Sequence, residues 1–331
     1  MRKLINDPAN FVDEVIDGIL TAHPNSLRAA SDDRRAIVRQ DFPNGNVGIV
    51  TGGGSGHLPL FLGYVGSGPC SGVAIGNVFS SPSAEQILAA TKAVDGGKGV
   101  LYLFGNYGGD VMNFALAGDL AELDGISTET ALGRDDVMSA PTAKADTRRG
   151  VAGMVFAYKC AGASAERGDD LVEVTRIANA ALNATRTAGV GLSPTILPSA
   201  GRPTFELPDG EMEIGIGIHG EPGKYRGPIE TADSVTETLV TAIFDDLTLS
   251  ADDEVVLLVN GLGATPLEEL YLVFRRAHRL LSERGVRIHD SWVGEYATSL
   301  EMAGASVTIM KLDDQLRELF DAPASSPFLH R

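Results

Sequence analysis

Cysteine is almost missing from this chain. Cys70 and Cys160 are the only two, and they lie far apart. That leaves no disulfide framework and no metal-ligand spacing, and it suits a reducing compartment. Long apolar runs are missing as well. No stretch approaches the roughly 18 residues of a membrane span. The opening MRKLINDPANFVDEVIDGIL places acidic residues where a signal peptide needs an apolar centre, so a cytoplasmic location is expected. Positive charge is scarce: 27 Lys and Arg stand against 44 Asp and Glu, a formal charge of −17. Such a surface repels phosphate backbones and anionic lipid, so neither nucleic acid nor membrane is an expected partner. Solubility alone is a sufficient reason for the acidity. Short repeats, heptads and low-complexity tracts are absent too.

What is present is the composition of a globular protein, with 44% hydrophobic and 21% charged residues over 331 positions. That length suits two α/β domains or one large one. Residues 8–22 carry Phe11, Val12, Val15, Ile16 and Ile19 at helical spacing. NVGIVTGGGSGH then reads as a β-branched strand entering a glycine loop. Two further strand–loop–helix units follow, around GVAIGNVFSSPSAEQILAATKAV and GVLYLFGNYGGDVMNFALAGDLAEL. Ser83 and Gln86 have the spacing of a capping box at a helix start. The succession argues for a parallel or mixed sheet flanked by helices. The middle of the chain reads as helical. The turn-rich VGLSPTILPSAGRPTFELPDG is then the best place for a junction, giving expected domains of residues 1–188 and 189–331. DEVVLLVNGLGATPLEELYLVFRRAHRLLSERG follows as strand, glycine loop and long helix, with Pro266 expected at the first helical position. ASVTIMKL reads as a late strand and DDQLRELFD as a closing helix.

Three stretches could carry chemistry. In MEIGIGIHG, Met212, Ile214, Ile216 and Ile218 fall on one face of a period-two strand. Glu213, Gly215, Gly217 and His219 fall on the other. Glycine in a strand often marks the close approach of a ligand or a second backbone. The bare face could give a ligand room beside His219; a satisfied histidine packed on glycines is the simpler reading. TGGGSGH, residues 51–57, follows a strand and exposes N–H groups that can cradle oxygen atoms. It matches neither the Walker loop nor G-x-G-x-x-G, and His57 stands beside it as an acid or base. In GNYGGDVMNF, residues 105–114, Asp110 opens a helix. A helix N-cap accounts for it on spacing alone, and a catalytic carboxylate at the C-terminal edge of a sheet is the competing role. His278 lies among charges on the long helix and reads as solvated; His289 follows a strand; His23 and His330 lie near the ends. No pair has metal-ligand spacing.

Taken together, the stretches LINDPANFVDE (4–14), GIVTGGGSGH (48–57), NVFSSPS (77–83), NYGGDVMNF (106–114), TRRGVAGMV (147–155), EMEIGIGIHGEPG (211–223), NGLGATPLEELY (260–271) and LFDAP (319–323) resemble the K subunit of dihydroxyacetone kinase, the ketose-binding half of a split kinase. The resemblance runs through nearly the whole chain. It implies two α/β domains and a homodimer. It implies a histidine nucleophile at His219 that holds the ketone as a covalent hemiaminal. It places acid–base groups at His57 and Asp110, and substrate contacts at Gly54, Ser55, Gly56, His57, Gly105 and Asp110. ATP or ADP with magnesium is expected on a separate helical L-type subunit, with no cofactor or metal held by this chain. A related paralogue that senses ketones for a transcription regulator is the alternative function. Three positions depart from the family pattern. His57-Leu58-Pro59 replaces His-Glu-Pro, Gly105 replaces a lysine that contacts substrate, and Gly76-Asn77-Val78-Phe79 replaces Gly-Asp-Val-Phe. These departures point towards a four-carbon ketose such as erythrulose, or a branched short sugar.

Overall fold

Buried β-branched and leucine runs make the central strands, and two such sets of strands make two sheets. The computed structural model describes residues 3–331. Met1 and Arg2, the start of the expected first domain and of the acidic opening segment, lie outside the described residues. Contacts divide the chain into two units. The first holds everything through Gly133, then Val155–Ala181 and Leu316–Arg331; the second holds Arg134–Met154 and Leu182–Gln315.

The first unit runs α1 (Phe11–Ala22), β1 (Leu27–Ala29), β2 (Ala36–Arg39), β3 (Gly48–Gly54), β4 (Gly72–Gly76), α2 (Ala84–Ala93), β5 (Val100–Gly105), α3 (Gly108–Leu123) and β6 (Thr128–Gly133). Helices α4 (Met154–Glu166) and α5 (Leu171–Asn183) follow in the chain. The strand order is β1-β2-β4-β3-β5-β6. Strands β4, β3, β5 and β6 are mutually parallel, and β1 and β2 are antiparallel additions. Every residue of β3, β4 and β5 is buried, as a parallel sheet covered on both faces requires. The capping box of Ser83 and Gln86 starts α2 as its spacing predicts. Phe114 of α3 stacks on Phe104 of β5 with ring centres 3.9 Å apart. A Cβ at Gly52 would lie 3.1 Å from the Phe114 ring, so the glycine lets this helix sit close to β3.

The second unit runs β7 (Thr185–Ser193), β8 (Glu211–Ile214), β9 (Tyr225–Pro228), α6 (Ala232–Asp246), β10 (Glu254–Gly261), α7 (Leu267–Glu283), β11 (Arg287–Gly294) and β12 (Ala303–Leu312). Its strand order is β11-β10-β12-β7-β8-β9, antiparallel except for the β10–β11 pair. In α7, Leu270, Val273, Ala277 and Leu281 recur at helical spacing and are buried in the core with Val255, Leu257 and Val259 of β10. Each such leucine or valine contributes roughly 1.5–3 kcal/mol. Pro266 is the N-cap of α7 rather than its first residue, and His289 lies inside β11 rather than after a strand. The last helix, α8 (Asp314–Asp321), belongs largely to the first unit. Both sheets are mixed α/β constructions, as expected. The boundary expected at 188/189 falls inside β7, whose residues Thr185–Ser193 pair with β12. A hydrogen-bonded strand offers no place to divide a chain, and the proline-rich turns that suggested one come only after it.

Candidate functional site

In the first unit, all four parallel strands end on glycine: Gly54, Gly76, Gly105 and Gly133. The register pairs Gly54 with Gly76 and Gly105 with Gly133, so these residues line one C-terminal edge. The chain leaves β3 towards β4 on one side and returns to β5 on the other. That reversal is the topological switch point at which open α/β sheets bind ligands. The loop carrying Ser55, Gly56 and His57 leaves β3 there, and the loop leading to Asp110 leaves the adjacent β5. Sequence-predicted residues Gly54, Ser55, Gly56, His57, Gly105 and Asp110 therefore gather at one sheet edge.

Asp110 is not the N-cap of its helix. Tyr107 holds that position without a side-chain cap, and Asp110 is the third helical residue, only 8% exposed. In the first turn of a helix, backbone N–H groups and the dipole favour a carboxylate. Asn113, one turn on, donates to the Pro82 carbonyl at 2.7 Å and ties the helix start to the loop after β4.

His57 is 1% exposed and sits between two phenylalanines. Its ring stacks on Phe79 at 4.9 Å and meets Phe61 edge-on at 6.1 Å. Both phenylalanines have positive φ, 56° and 69°, a region bulky residues seldom occupy. Strain of this kind persists only where the surroundings enforce it, and it gathers at functional sites. The same rings account for the loop's glycines. A Cβ at Gly53 would lie 2.3 Å from Phe61, and one at Gly56 would lie 2.5 Å from Phe79. At Gly54 it would meet the Phe79 backbone nitrogen at 2.6 Å. The glycines thus make room for aromatic packing around His57. Ser55 and Leu58 line a cavity of about 20 Å³ with Val12, Ile16 and Ile19 of α1. Leu58 has an apolar setting that an acidic residue would not fit. The Ser55 hydroxyl is buried there and makes no hydrogen bond among the described residues.

His219 belongs to the second unit, and the strand expected to reach it stops early. Strand β8 ends at Ile214, and Gly215 has φ +80°. Residues 216–223 form a compact loop in which Gly217 N–H donates to the Glu221 carbonyl and Gly220 N–H to the Gly217 carbonyl, both at 3.0 Å. The bare face predicted to leave room for a ligand is occupied. A Cβ at Gly217 would lie 1.9 Å from a Glu221 carboxylate oxygen and 2.4 Å from Arg149. Glu221 accepts from the His219 backbone N–H at 3.0 Å and pairs with imidazole Nδ1 at 2.8 Å. Burial acts to raise the Glu221 pKa, but the His219 hydrogen bond and charge, with Arg149, outweigh it and hold the group at about 2. Ser299 Oγ donates to the Ile218 carbonyl at 2.5 Å and pins the loop beside the imidazole. The His219 side chain remains 24% exposed. Glu221 is the functional candidate that the sequence reading passed over; its signal was the acid two residues after the histidine.

A cavity of about 710 Å³ opens beside β8, β9 and α6, lined by Ile214, Lys224, Tyr225, Glu237 and Asp245 among others, and none of the sequence-predicted site residues line it. No described helix is long and apolar enough to cross a membrane.

The Dak1 domain profile matches residues 17–328. The dihydroxyacetone-binding subunit DhaK of PTS-dependent dihydroxyacetone kinase 2 from Listeria innocua is 45% identical, over 99% of both chains. D-erythrulose kinase from Mycolicibacterium smegmatis is 43% identical over 99% of this chain, which spans 56% of that longer protein. Among solved structures, the dihydroxyacetone kinase of C. freundii superposes with TM-score 0.89 at 33% identity, covering 98% of this chain and 60% of that one. The dihydroxyacetone kinase operon co-activator DhaQ superposes with TM-score 0.88 at 31% identity, over 95% of this chain and 97% of that one. A profile that takes in nearly every described element, together with full-length identity of this size, shows that the chain belongs to the Dak1 domain family.

Proposed function

We propose that this chain is the ketose-binding subunit of a kinase that phosphorylates the terminal hydroxyl of dihydroxyacetone or a related erythrulose-type ketose. The observation that carries the reading is the His219–Glu221 pair. With Nδ1–H directed to the carboxylate, Nε2 is the ring nitrogen that attacks a carbonyl. The Nε2 lone pair forms a bond to the ketone carbon, and the C=O electron pair moves to oxygen, which takes up a proton from solvent. The product is a hemiaminal, and the ionised Glu221 balances the charge reaching the ring. Glycerol has no carbonyl and cannot form this bond, so covalent capture separates ketoses from polyols of similar size. Asp110 accepts the proton of the terminal hydroxyl as that oxygen attacks phosphorus, with His57 as the second acid–base group. The nucleotide, ATP or ADP with magnesium, sits on a helical L-type partner, and the ketose-binding chain acts as a homodimer in a cytoplasmic setting. Gly105 supplies no cation at the end of β5, which favours a ketose longer than dihydroxyacetone; the near-equal identities to a dihydroxyacetone-binding subunit and an erythrulose kinase fit either substrate.

Crystals soaked with dihydroxyacetone or erythrulose test the capture step. Continuous density from His219 to the ketose carbon is expected, and its loss in His219→Ala. A ketose bound elsewhere, with His219 unmodified, would overturn the reading. The likeness to the operon co-activator supports a second reading, a ketone sensor without kinase activity. Ketose capture with no phosphoryl transfer in the presence of a nucleotide-loaded helical subunit would favour that sensor.

A further inference from the structure

The TRRGVAGMV stretch carries two adjacent arginines that point to different partners. Arg148 is buried and pairs through both terminal nitrogens with Asp246 at the end of α6, at 2.8 and 2.6 Å. Arg149 turns the other way. Its Nε lies 2.9 Å and its Nη2 2.8 Å from Asp136 Oδ2, and the same Nη2 donates to the Gly215 carbonyl at 2.7 Å. Nη1 lies 3.9 Å from Glu221 Oε2. One guanidinium therefore spans the residue just after β8 and the carboxylate that holds the His219 imidazole. Gly217 is what admits it, since a side chain there would collide with both Arg149 and Glu221.

We propose that Arg149 is a positioning residue for His219. Anchored on Asp136, it sets the Gly215 turn and the Glu221 carboxylate, and so fixes the imidazole with its proton on Nδ1. This rests on the ketose-capture reading for its purpose, although the tautomer itself is a separate observable. A rigid planar donor array explains why arginine suits the place: a lysine ammonium can hold one of these acceptors but cannot span all three.

The test uses the isolated chain. Imidazole ¹⁵N NMR reports the His219 tautomer, with His219→Ala assigning the signal. Dihydroxyacetone labelled with ¹³C at the carbonyl carbon reports capture. Arg149→Met should mix the two tautomers and lower capture at fixed ketose on the order of tenfold to a hundredfold, the effect of losing a charged hydrogen bond. Arg149→Lys should recover part of both. Gly217→Ala keeps the arginine but wedges it from Glu221, and should reproduce the mixing even if Arg149→Met fails to fold. A wild-type tautomer with wild-type capture in folded Arg149→Met, or a wild-type tautomer in Gly217→Ala, overturns the proposal. If wild-type protein captures no ketose at all, the proposed function fails, and the tautomer comparison alone decides the role of Arg149.

Discussion

The two sets of chemical groups in this protein are held by opposite means. In the first unit, His57 and Asp110 stand beyond the ends of neighbouring parallel strands, and apolar packing places them. Phe61 and Phe79 enclose the imidazole, and Phe114 seats the helix that carries the aspartate. In the second unit, His219 stands on an irregular loop, and charge places it through Glu221, Arg149 and Asp136. The first arrangement should be sensitive to volume. The second should be sensitive to charge and pH, and its Gly217 makes room for an ion pair rather than a ring.

The largest expected effect tests whether Asp110 belongs to the chemistry. With a nucleotide-loaded partner present, Asp110→Asn should lower turnover ~10²–10⁴-fold while ketose capture at His219 persists. A fall in melting temperature with normal turnover would make Asp110 a structural residue of its helix.

The charge-held side should reveal itself in a pH series. Burial, partly offset by Arg149, raises the Asp136 pKa to about 6. The folded state then binds a proton that the unfolded state has already released. Stability from this group is complete below pH ~4 and declines as pH rises through ~6, by up to about 3 kcal/mol. Glu221 has the opposite sign. Its contribution is present above its ordinary pKa and is lost as pH falls towards about 2. Urea midpoints across pH 4–7 should fall less steeply in Asp136→Asn than in wild type. An unchanged slope would mean that Asp136 does not titrate in this range.

Substrate choice sharpens the volume side. Gly105→Lys should shift the kcat/KM ratio towards dihydroxyacetone and away from erythrulose by about tenfold to a hundredfold, the effect of one charged hydrogen bond. No change in either rate would assign the gap at Gly105 to water. The smallest effect compares two glycines of the same edge region. Gly54→Ala drives a methyl into the Phe79 backbone and should cost about 1–3 kcal/mol in urea unfolding. Gly108→Ala meets nothing within 4 Å and should stay within about 0.5 kcal/mol. Equal costs at the two positions would show that the backbone at Phe79 yields readily.

The sequence by itself determined the local elements and the first unit's edge. Buried apolar runs marked β3, β4 and β5, the Ser83–Gln86 spacing marked the start of α2, and glycine loops after strands marked where His57 and Asp110 emerge. These signals are legible because propensity, capping and strand-end geometry act over a few neighbouring residues. The His219 environment was decided by tertiary structure. The period of two in MEIGIGIHG persists to the histidine, yet φ +80° at Gly215 ends the strand, because alternation of side chains does not report backbone dihedrals. The groups that occupy its glycine face include Arg149, whose approach depends on a loop that begins after β6 and is anchored to α6 through Asp246. The division of the chain was likewise decided by strand pairing. Strand β7 holds the expected boundary because β12, more than a hundred residues later, completes its hydrogen bonds, and no local pattern encodes a partner that distant.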